Sequence, residues 1–85
     1  MIKLPNLDTL SDSELEHFVN NCKEDLHTVA TRFELRPSVA KTVQDYVEAR
    51  HLARTYRKFH SLERADIIDK QAERIYSLIP LEVRW

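Results

Sequence analysis

Glycine is absent from this 85-residue chain, and proline occurs only at positions 5, 37 and 80. Tight hairpin turns need residues at positive φ, which glycine supplies most cheaply, so a sheet built from such turns is disfavoured. Strand-like alternation is missing until the last five residues. Cys22 is the only cysteine, which excludes an intramolecular disulfide and a multi-cysteine zinc site. It shares a helical stripe with apolar residues and reads as a buried thiol. No apolar run approaches the ~18 residues of a membrane span. The opening MIKLPNLDTL lacks the charged-then-apolar order of a signal peptide. A cytoplasmic protein without membrane contact is the expectation.

What remains is ordinary globular composition, with 42% hydrophobic and 32% charged residues, enough apolar surface to fold. The length suits one helical domain over residues 1–85. A domain this small, without disulfide or metal, commonly gains stability from a second copy, so a homodimer is expected. The net charge of −1 hides an asymmetry. Residues 1–31 hold two basic and six acidic side chains, residues 32–64 eight and four, and residues 65–85 three and four. A polyanion would meet the middle of the chain.

Three helical stretches follow from apolar spacing. Ser11-Asp12-Ser13-Glu14 has the pattern of a capping box. Leu15, Phe18, Val19, Cys22, Leu26, Val29, Ala30 and Phe33 then recur at intervals of three and four. They fit one long helix, or two broken near Asn20-Asn21 with Asp25 capping the second. Pro37 or Ser38 starts the next helix, since proline suits a first turn. It runs to about Phe59 with Val39, Val43, Tyr46, Val47, Ala53 and Tyr56 inward. Ser61 is placed to cap a third helix carrying Leu62, Ala65, Ile68, Ala72, Ile75, Tyr76 and Ile79, which Pro80 stops. Leu81, Val83 and Trp85 read as a short extended C-terminal tail. The expected fold is all-α, a compact bundle of three to five helices.

The segment LHTVATRFELRPSVAKTVQD, residues 26–45, resembles the helix-turn-helix unit of bacterial and phage DNA-binding proteins. Val29, Ala30, Phe33, Leu35, Ala40 and Val43 match its apolar offsets, with the small Ala30 where two helices would cross. Glu34 replaces the turn glycine, a departure that requires a left-handed backbone at a residue with a Cβ. The resemblance implies that the helix from Pro37 reads a major groove through Arg36, Ser38, Lys41, Thr42 and Gln44. The alternative is two amphipathic helices joined by a proline-containing turn.

Arg50, His51, Arg54, Tyr56, Arg57, Lys58, His60 and Arg64 form a basic run interleaved with aromatics. Arg50, Arg54, Arg57 and Lys58 fall on one helical face and suit phosphate contact. They equally suit a solvated face paired with Asp45, Glu48 and Glu63. Two further pieces, LSDSELEHF at 10–18 and YSLIPLEV at 76–83, resemble segments of the Hha-type nucleoid modulators, small helical proteins that bind another protein. That resemblance implies contact through acidic residues such as Glu24 and Asp25, and Glu14 and Trp85 extend the same candidate surface. Four histidines without metal-ligand spacing and no phosphate-cradling loop give no basis for catalysis or a cofactor. A small DNA-binding regulator and a non-enzymatic protein-binding module are the two readings.

Overall fold

The computed structural model describes residues 4–84. A single 3-10 turn at Leu7–Thr9 leads into α1 (Asp12–Cys22), α2 (Leu26–Arg32), α3 (Pro37–Lys58) and α4 (Leu62–Ser77), with no strand among the described residues. No helix among them is long and apolar enough to cross a membrane.

Each boundary has a local cause. The capping box forms: the Ser11 hydroxyl accepts from the Glu14 amide at 3.2 Å, and the Glu14 carboxylate accepts from the Ser11 amide at 3.0 Å. The long stripe is two helices, broken at 23–25 rather than at Asn20-Asn21, with Asp25 as the second N-cap. Its carboxylate accepts from the Thr28 amide at 3.1 Å and the Thr28 hydroxyl at 2.7 Å. Pro37 occupies the first turn of α3. Ser61 stands at the N-cap of α4, but its side chain makes no capping bond.

The 22-residue α3 spans about 33 Å at 1.5 Å per residue, close to the 36 Å longest dimension of the molecule. One core gathers on its N-terminal half. Leu7, Leu15, Val19, Cys22 and Val29 pack with Ala40, Val43, Tyr46 and Val47, and Leu4, Ile79 and Val83 close the base. Full burial of each large aliphatic side chain contributes about 1.5–3 kcal/mol. Toward the far end of the α3–α4 hairpin the fully buried side chains are the small Ala53 and Ala65. The tail is docked but turned rather than extended. Val83 is buried, its amide donates to the Pro80 carbonyl at 3.0 Å, and its carbonyl accepts from the Leu4 amide at 2.7 Å. Trp85 lies outside the described residues.

Candidate functional site

The α2–α3 turn closes on a left-handed residue. Glu34 sits at φ 55°, in the left-handed region. This places the Leu35 amide on the Ala30 carbonyl at 2.8 Å and the Glu34 amide on the Thr31 carbonyl at 3.3 Å, the paired bonds of a Schellman stop. Ala30 and Leu35 are buried beneath it. At the start of α3, Arg36, Ser38 and Lys41 are exposed. Lys41 pairs with Asp45 one turn on, at 2.8 Å, which holds the ammonium ionised to higher pH than usual.

The rest of the expected reading set faces elsewhere. Gln44 turns away from the open edge and donates its side-chain amide to the carbonyls of Cys22 and Glu24. Those carbonyls lie at and just beyond the end of α1, where helix geometry supplies no donor. Arg32 completes the staple: it donates to the Asn21 carbonyl at 2.8 Å and grips both Glu24 oxygens at 3.0 Å. Thr42 is half-buried, with its hydroxyl on the Ser38 carbonyl.

The basic face of α3 is likewise engaged within the fold. Arg50 bridges Asp8 and Asp69, the latter at 3.0 Å. Arg54 donates to the carbonyls of Leu10 and Leu7 at 2.8 and 2.9 Å and lies 3.5 Å from Asp12. Arg57 contacts Asp66 and Asp69, and Lys58 reaches Asp12 at 2.7 Å. The carboxylate partners come from the N-terminal segment, the start of α1 and α4, not from Asp45, Glu48 or Glu63. Sequence spacing shows that the cations share a face. It carries no signal for partners 42 residues away, as in Asp8 and Arg50. Arg64 is exposed and forms no ion pair among the described residues.

The described acidic residues of the alternative surface are exposed and also make contacts within the fold. Glu14 closes the capping box, Glu24 holds Arg32, and Asp25 caps α2. Hydrogen bonds from Ser11 hold the Glu14 carboxyl below its ordinary range, and those from Thr28 do the same for Asp25. Burial pushes the Cys22 thiol up to about 11, so it is protonated at neutral pH. No group of three or more His, Cys, Asp or Glu side chains among the described residues could hold a metal ion.

The surface that sequence reasoning missed is apolar. Phe59 is 75% exposed and Leu62 59%, at the tip of the α3–α4 hairpin, with Leu52 and Ile67 exposed along its sides. Helical spacing placed Leu62 on the inner stripe of α4, but α4 outruns the core at that end. Compared with known protein families, curated proteins and solved structures, the chain has no match.

Proposed function

We propose that this chain is a non-enzymatic, protein-binding helical module that acts through its α3–α4 hairpin. The observation that carries the reading is a division of surfaces on α3. Its arginines turn onto Asp8, Asp12, Asp66 and Asp69, while Leu52 on its other side and Phe59 just past its C-terminal end face solvent. Phosphate contact would require those cations to leave carboxylates and carbonyls already in place. Exposed apolar clusters on a small domain mark protein contacts. The test is site-specific photo-crosslinking in cells carrying the gene, with the probe at position 59 or at position 41. Protein adducts from 59 and none from 41 support the reading. DNA adducts from 41, with salt-dependent duplex binding by the purified chain, overturn it.

The second reading, a DNA reader, is favoured by the left-handed Glu34 turn and by exposed Arg36, Ser38 and Lys41. Its edge is narrower than the sequence implies, because Gln44 is withdrawn. Arg36→Ala and Lys41→Ala together would then reduce duplex affinity at low salt, and substitution of Gln44 would act through stability alone.

A further inference from the structure

The α3–α4 hairpin is covered on one flank and open on the other. The covered flank carries Arg50 and Arg54 beneath Asp8, Leu7 and Leu10. On the opposite flank Asp45, Ala49, Leu52, Tyr56 and Phe59 follow at steps of four, three, four and three along α3. On α4, Arg64, Ile68, Gln71, Ile75 and Leu78 follow at the same steps. This is the heptad spacing of a helix-packing seam. Ala49, Tyr56, Ile68 and Ile75 are only half-buried, and Leu52, Phe59 and Leu78 are exposed. Seven of the ten seam positions are apolar, and while Ala49 and Ile75 also pack against the chain's own core, Leu52, Phe59 and Leu78 have no second layer over them.

We infer that a second copy of this chain supplies that layer, the two hairpins packing open flank to open flank as a four-helix bundle. The inference rests on the reading of the hairpin as a protein-contact surface and names the partner. Heights along the hairpin are fixed by the Tyr46–Tyr76 ring contact, with centroids 5.1 Å apart, and by the Arg50–Asp69 and Arg57–Asp66 pairs. In that register Leu52 stands level with Ile68, Phe59 with Leu62, and Glu48 with Arg74. A two-fold axis running along the hairpin preserves heights and sets α3 of one copy against α4 of the other, antiparallel. Leu52 then meets the Ile68 side of its partner, Phe59 meets the partner's tip, and Glu48 faces Arg74 across the rim. Glu48 and Arg74 are exposed and form no ion pair among the described residues, so each is available to the other copy. The pairing repeats by symmetry, as an isologous interface demands.

Sedimentation equilibrium of the full chain tests this, with circular dichroism to show that each variant stays folded. The wild type should dimerise at about 100 µM or below, and Leu52→Glu should shift the dissociation constant at least tenfold, the loss expected for a central apolar contact. Glu48→Arg or Arg74→Glu alone should weaken the dimer about three- to tenfold, and the double reversal should restore it, because the pair lies on the rim where ion pairs are modest. A wild type that remains monomeric at that concentration, or a folded Leu52→Glu chain that dimerises undiminished, overturns the inference. A monomer that still crosslinks to a different protein through position 59 leaves the protein-binding reading standing, and a chain that does neither ends both.

Discussion

The Arg54 guanidinium donates to the main-chain carbonyls of Leu7 and Leu10 at once, 47 and 44 residues away in sequence. It binds the N-terminal turn to the C-terminal third of α3, and Leu7 is buried at 1% exposure. An arginine that satisfies two carbonyls is a structural group, and its removal strands both acceptors.

Arg54→Met should therefore destabilise the fold by about 2–3 kcal/mol, since hydrogen bonds to charged donors are the costly ones to lose. Urea denaturation measures it. Lysine at the same place should recover only part, because one ammonium cannot match the planar fork. A change below about 0.5 kcal/mol would assign Arg54 to the solvated surface.

Gln44→Leu should cost about 1–2 kcal/mol, the penalty of leaving the Cys22 and Glu24 carbonyls without their donor. Lys41→Ala, one turn earlier on the open edge, should alter stability by less than about 0.5 kcal/mol. The contrast between two neighbours in the same segment distinguishes a staple from a surface group.

Among the described residues, two occupy left-handed backbone, Glu34 at φ 55° and His60 at φ 61°. His60→Gly should raise stability by about 0.4–1 kcal/mol, as relief of the Cβ clash exceeds the added freedom of the unfolded chain. Thermal or chemical unfolding is the readout. A loss of about 1 kcal/mol, the cost of glycine inside a helix, would mean that α3 continues through the turn.

Asp12, Glu14 and Asp25 all have carboxyl groups held below their ordinary values of 3.8, 4.5 and 3.8, by Lys58, Ser11 and Thr28 respectively. Each binds its proton less readily in the folded chain than in the unfolded one. Their stabilising contribution is therefore complete above the ordinary carboxylate range and is lost as the pH falls through it. The urea midpoint should hold from pH 7 to about 5 and decline below about 4.5. Asp25→Asn keeps an N-cap acceptor while removing the charge, so this variant should match the wild type at pH 7 and show a shallower acid decline.

Helix placement was legible because it rests on local chemistry: Ser11 with Glu14, Asp25 with Thr28, and Pro37 in a first turn act within four residues. The left-handed position of Glu34 was legible too, as a tension between the resemblance and the residue. The roles of Arg50, Arg54 and Gln44 were not, because each depends on a group brought near only by tertiary packing. Spacing marks a cation's face on its own helix, and the docking of the N-terminal segment and α4 decides whether that face is bare. Leu62 failed for a related reason: periodicity gives an inward direction but not the point where the core ends.

Ala53 and Ala65 are the buried side chains nearest the tip of the α3–α4 hairpin and lie outside the core of larger residues, so the two ends of the molecule are unequal in cooperativity. Burying methyl groups there stabilises less than burying Leu15 or Val19, so the distal hairpin relies also on Arg57 with Asp66 and Asp69, and on Arg54 and Lys58 with Asp12. In the monomer the tip beyond Lys58 is the least fastened part, so backbone amides near residues 59–62 should exchange with deuterium sooner than those of α1, and dimerisation should slow them.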